Sequence, residues 1–174
     1  MTQKTQELRR MFKVGSGFWK GSKILSNYLG KTKDSDLNSP ILVNISFAGE
    51  IYLKCLLLVH EGDYPKCHDL KRLFDELPKP DQTAIADAYK NNFKNSPLFR
   101  FLVKPKSIPK LRSVLAGAAE TFSKVRYSFE PGKKSPGPTV GLQEFVEALQ
   151  QWILVTKPEL AVALDVSGTI ERVR

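Results

Sequence analysis

The chain has 174 residues, a length that suits one domain, and 41% of them are hydrophobic, which excludes a disordered composition. Lys and Arg number 27 against 18 Asp and Glu, so the formal charge is +9 and the pI about 9.6. That excess bears on partners rather than on fold, and favours RNA, DNA or an acidic protein partner.

Two cysteines, Cys55 and Cys67, are too few for a disulfide framework. Cys55 lies in an apolar stretch and reads as a small core residue. Neither cysteine has a CxxC partner or a histidine at zinc-ligand spacing, so no metal and no cofactor is expected. The sequence shows no apolar run of the roughly 18 residues that cross a bilayer. Met1 to Lys13 is polar and charged, unlike the apolar stretch of a signal peptide. A cytoplasmic protein with no membrane partner is the expectation.

The apolar pattern is helical nearly throughout. Residues 1–16 read as a flexible lead-in, and Gly15, Gly17 and Gly21, spaced as GxGxxxG, have no strand or βαβ unit around them. Phe18 to Leu29 carries a helical stripe of Trp19, Ile24, Leu25, Tyr28 and Leu29, with Gly30 as its stop. After a polar loop, Asn38 or Ser39 is placed to cap a helix with Pro40 in its first turn. Ile41 to Glu61 is apolar around most of its circumference, with Ser46, Glu50 and Lys54 as one narrow polar line. A helix of that kind belongs at the centre of a bundle.

His68 and Asp69 open a short helix, Leu70 to Leu77, stopped by Pro78 and Pro80. Asp81 starts another, with Ala84, Ile85, Ala88, Tyr89 and Phe93 on one side. A basic stretch holding Lys104, Lys106 and Lys110 leads into a long helix over Ile108 to Glu130. The segment PGKKSPGP, with Lys133 and Lys134, reads as a loop. Val140 to Val155 is the last clear helix, and residues 158–174 form a tail. The expected fold is all-α: an up-and-down bundle of five or six helices over residues 17–157.

Several signals fail on inspection. Gly30-Lys31-Thr32 lacks both the upstream glycine and the preceding strand of a phosphate-binding loop. No GxSxG, HExxH or EF-hand loop is present. His60 and His68 are the only histidines, too few for a triad or a histidine-rich metal site.

Three polar spots remain inside otherwise apolar elements. Glu50 and Lys54 are four apart in the favourable order for an ion pair, which is either structural or functional on a helix so apolar elsewhere. Asp69 suits a helix N-terminus, and His68 beside it is either incidental or an imidazole poised near neutral pH. Arg126, Tyr127 and Glu130 end the long helix, either solvated or placed to hold a phosphate or the Glu50 carboxylate.

The stretch from Asn44 to Pro78 carries Glu50, Tyr52, Lys54, Gly62, His68, Asp69, Leu70, Leu73, Phe74, Leu77 and Pro78 in an order that resembles the HEPN family, helical domains linked to nucleic acids in prokaryotic toxin and defence systems. Val125 to Glu130 looks like the Arg-Tyr-x-x-Glu found on a later helix of one subset. The resemblance implies an up-and-down helical bundle, a homodimer, and in many members a metal-independent ribonuclease. It also implies a protein partner such as a nucleotidyltransferase or an antitoxin. The family's nuclease signature is an Arg followed four to six residues later by a His. Neither His60 nor His68 has such an Arg, and no His follows Arg100, Arg112 or Arg126. The chain is therefore expected to be a binding member without the usual ribonuclease centre. The alternative is an atypical endoribonuclease built from Glu50, Lys54, His68, Arg126 and Glu130. Lys104, Lys106, Lys110, Lys133 and Lys134 are the expected nucleic-acid contacts.

Overall fold

In a computed structural model of the chain, residues 2–97, 108–119, 125 and 140–161 are described. The fold is all-helical, with no strand among the described residues. Among the described residues six α-helices follow one another: α1 (Gln3–Thr32), α2 (Asn38–His60), α3 (Leu70–Asp75), α4 (Lys79–Asn95), α5 (Leu111–Ala119) and α6 (Leu142–Thr156). Short 3-10 turns, Ser35–Leu37 and Pro158–Leu160, precede α2 and follow α6.

The first half of α1 corrects the expected lead-in. Leu8, Phe12, Gly15, Trp19 and Ser22 recur at helical spacing and are all buried. They face α2 in antiparallel register. Phe12 packs on Tyr52 with ring centroids 5.6 Å apart, Phe18 stacks on Phe47 at 5.2 Å, and Gly21 faces Asn44. Gly15 is a close-approach point: a β-carbon there would lie 2.9 Å from Cε1 of Tyr52. Ile24 and Tyr28, expected inward, stay 57% and 56% exposed because the buried set lies nearly half a turn away, on the opposite side of the helix. The helix also runs past Gly30 and ends at Lys33, whose left-handed backbone (φ 60°) donates its N–H to the Leu29 carbonyl.

The cap of α2 also differs. Asp34 caps the 3-10 turn by accepting from the Asp36 N–H at 3.1 Å, and that turn leads into α2 without a side-chain cap on α2 itself. The 3-10 turn and α2 together, Ser35 to His60, contain an 18-residue stretch of mean hydropathy 1.7, by length and composition alone enough to cross a membrane, contrary to the reading of the sequence. In the fold 67% of that stretch is buried, as befits a central helix. Its residues Tyr52, Leu53, Cys55, Leu56, Leu57 and Leu58 form the middle of the core. Burial pushes the Cys55 thiol up to about 12, so it remains a neutral core group.

Around α2 the other elements close the bundle. α6 packs between α2 and α4, and α5 leans on α3 and α6. Phe145 on α6 meets Phe74 on α3 edge-on at 5.9 Å. The Tyr52 hydroxyl, buried between helices, is satisfied by Ser16 Oγ at 2.9 Å and by the donated amide of Gln150 at 2.8 Å. One side chain thus joins α1, α2 and α6. α4 starts at Lys79, two residues earlier than expected. Pro80 therefore sits in its first turn, where a missing N–H costs nothing.

Candidate functional site

The polar line of α2 meets the segment that enters α3. Glu50 and Lys54 lie one turn apart, and Lys54 Nζ donates to Glu50 Oε1 at 2.8 Å with only 13% and 12% of the two side chains exposed. The loop after α2 reverses at Gly62 (φ 84°) and brings His68 back along the helix. His68 Nδ1 then stands 3.0 Å from Oε1 and 3.1 Å from Oε2 of Glu50, with its side chain 69% exposed. Three of the sequence-selected residues therefore converge.

Glu50 is an acceptor shared by two nitrogen donors. A carboxylate only accepts, so a neutral His68 must carry its proton on Nδ1, which makes Nε2 its basic nitrogen. The Tyr64 ring completes the cluster, its centroid 5.8 Å from Lys54 Nζ. The Tyr64 hydroxyl donates to Glu7 Oε1 at 3.4 Å, tying the loop to α1. Partial burial, and after it the Glu7 carboxylate, raise the Tyr64 phenol above its ordinary value.

Asp69 does something else. Its Oδ1 accepts from the N–H groups of Lys71 at 2.8 Å and Arg72 at 3.1 Å, so it is the N-cap of α3. Asp69→Ala is expected to cost about 1 kcal/mol of stability. Asp69→Asn should recover most of it, as urea denaturation will show.

Of the remaining candidates, Lys110 is exposed ahead of α5, and its carbonyl accepts the first turn of that helix. Arg126, Tyr127, Glu130, Lys104, Lys106, Lys133 and Lys134 lie outside the described residues.

Two ion-paired clusters were not singled out in the sequence. His60 Nε2 at the end of α2 lies 2.5 Å from Oδ2 of the buried Asp81 in the first turn of α4, an ion-pair approach without an aligned hydrogen bond to that oxygen. Asp75 at the end of α3 faces Lys71 at 2.9 Å and Arg112 of α5 at 2.7 Å. Burial alone would raise the Asp75 carboxyl, but the Lys71 hydrogen bond with the charges of Arg112 and Lys79 outweighs it and holds the group below its ordinary value. Gln82 fastens the same corner, donating to the Leu77 carbonyl at 2.7 Å and the Asp75 carbonyl at 3.1 Å. Only the Lys71–Asp75 pair, four apart on α3, leaves a spacing signal in the sequence; the other contacts join residues from different elements.

Among the described residues no group of His, Cys, Asp and Glu is placed to hold a metal ion. Comparison with known families, with curated proteins and with solved structures gives no match to the chain.

Proposed function

We propose that the chain is a nucleic-acid-binding helical module, HEPN-like in kind, which serves a prokaryotic defence, toxin–antitoxin or regulatory system without the usual ribonuclease centre. The observation that carries this reading is an excess of nine positive charges on a bundle whose best polar cluster is paired within itself. Glu50 spends both oxygens on Lys54 and His68, an arrangement suited to clamping a loop onto α2. A cytoplasmic location, a homodimer and a protein partner such as a nucleotidyltransferase or an antitoxin belong to the same proposal.

The experiment incubates the protein with labelled RNA and DNA in EDTA at low and high salt. Retardation that weakens steeply with salt, without cleavage, is the expected result. Absence of retardation at low salt overturns the reading.

One observation favours a second reading. The Glu50–His68 contact leaves Nε2 as the basic nitrogen of an exposed imidazole, as a metal-independent endoribonuclease would require. RNA cleavage in EDTA that disappears in His68→Ala would establish that alternative. Cleavage unchanged in His68→Ala and Lys54→Ala would exclude this cluster as its site.

A further inference from the structure

The positive charge of this protein is not spread evenly. Residues 1–33 carry eight of the 27 Lys and Arg but one of the 18 Asp and Glu, so seven of the nine excess charges lie there. The rest of the chain is close to balance. Within α1, Arg9, Lys13, Lys20, Lys23 and Lys31 fall in one sector about 80° wide at 100° per residue. That sector borders the buried one, and Lys13, Lys20, Lys23 and Lys31 in it are exposed.

Beyond α1 and its cap, five of the ten described Lys and Arg are ion-paired. Lys54, Lys71, Arg72, Lys90 and Arg112 each face a carboxylate within ion-pair distance. Among the described residues, none of the α1 cations does. Arg9 Nε is buried without a hydrogen-bond partner, and Lys23 Nζ is held 5.1 Å above the Trp19 ring. The one acid of α1, Glu7, lies on the opposite flank and receives Tyr64. A row of like charges with no internal counter-charge repels itself and is relieved by a polyanion.

We propose that this outward face of α1 is a docking surface for the phosphate backbone of a nucleic-acid strand. Arg9 to Lys31 spans about 33 Å of helix at 1.5 Å per residue. That length is about one turn of B-form duplex along its axis, so the row can meet the phosphates on the facing side of that turn. An anionic membrane is disfavoured, because a helix lying in the interface needs its continuous apolar face free. In α1 that face, from Leu8 to Ser22, is buried against the core. The exposed apolar residues of α1, Val14, Ile24 and Tyr28, share one side but are only three over about 21 Å of helix, too few for a continuous apolar face, and Tyr28 is placed to stack on a base beside the basic row.

This surface rests on the binding-module reading above. The test compares wild type with two variants of equal net charge: Lys13→Gln, Lys20→Gln, Lys31→Gln on α1, and Lys66→Gln, Lys79→Gln, Lys94→Gln elsewhere. All six lysines are exposed, and circular dichroism checks the fold. Anisotropy of a labelled single-stranded RNA and a duplex DNA is titrated across salt. For the α1 variant we expect a loss of affinity of tenfold or more at low salt and a salt slope shallower by about two. The control variant should bind within about threefold of wild type, since charge far from the phosphates acts only through a screened field. Equal losses in both variants, or none in the α1 variant, overturn the surface while leaving the binding module standing. Wild type that binds neither nucleic acid but binds phosphatidylserine vesicles or an acidic protein overturns both.

Discussion

Glu50→Ala is expected to lower the unfolding free energy by about 2–3 kcal/mol, because it strands the Lys54 ammonium at the edge of the core. The pair is only 12% and 13% exposed, and the rest of α2 around it is apolar. Deeply buried pairs broken on one side cost about 3–5 kcal/mol. Here Lys54 keeps the Tyr64 ring beside it and a stem long enough to reach water, which reduces the cost. His68 contributes little of it, since at 69% exposure its Nδ1 can turn to solvent when Glu50 is gone. Glu50→Leu combined with Lys54→Met removes both charges at conserved bulk, and should return to within about 1 kcal/mol of wild type. Single and double variants compared by urea denaturation give the coupling directly. Strictly additive effects would show that the pair holds nothing together.

The same contact marks how far the sequence could be read. The centrality of α2 was legible, because one narrow polar line on an otherwise apolar helix leaves no solvent face. The i, i+4 pairing of Glu50 and Lys54 followed from helix geometry alone. That His68 would be the third member was not legible. It depends on how a nine-residue loop without periodicity folds back, and on a reversal at Gly62.

α1 shows the opposite failure. Leu8, Phe12, Trp19 and Ser22 carry a helical spacing in plain view, but three glycines in the same stretch argue for a loop by propensity. Tertiary packing overrides that preference. Gly15 is present because the Tyr52 ring occupies the place of a side chain, so the residue that weakens the isolated helix is the one that lets it dock. Reading the glycines as breaks also concealed the basic row, which emerges only when the stretch is wound as one helix. The residues that carry the family resemblance lie between Asn44 and Pro78 and between Val125 and Glu130, and they carried no information about α1.

Gly141→Ala is the second change expected to be severe, at about 3 kcal/mol, and it acts where α4, α5 and α6 meet. Gly141 has φ 94°, a left-handed backbone that costs an L-residue about 1–2 kcal/mol. A β-carbon there would also lie 2.7 Å from the Tyr89 hydroxyl oxygen and 3.2 Å from Cγ2 of Val114. Tyr89 cannot yield freely: its ring is buried, and its hydroxyl donates to the Pro109 carbonyl at 3.0 Å ahead of α5. Burial, and then the nearby Glu144 carboxylate, push that phenol up to about 12, so it stays a neutral donor. Overpacking of this kind adds about 1–3 kcal/mol to the backbone strain. Thermal denaturation should show a drop of about 6–12 °C for a chain of this size. The contributions separate in a Tyr89→Phe background, where the colliding oxygen is gone and the left-handed strain remains with the milder Val114 contact. There Gly141→Ala should lose about half as much as in wild type. An equal loss in both backgrounds would assign the whole effect to the backbone and show that the hydroxyl gives way without cost.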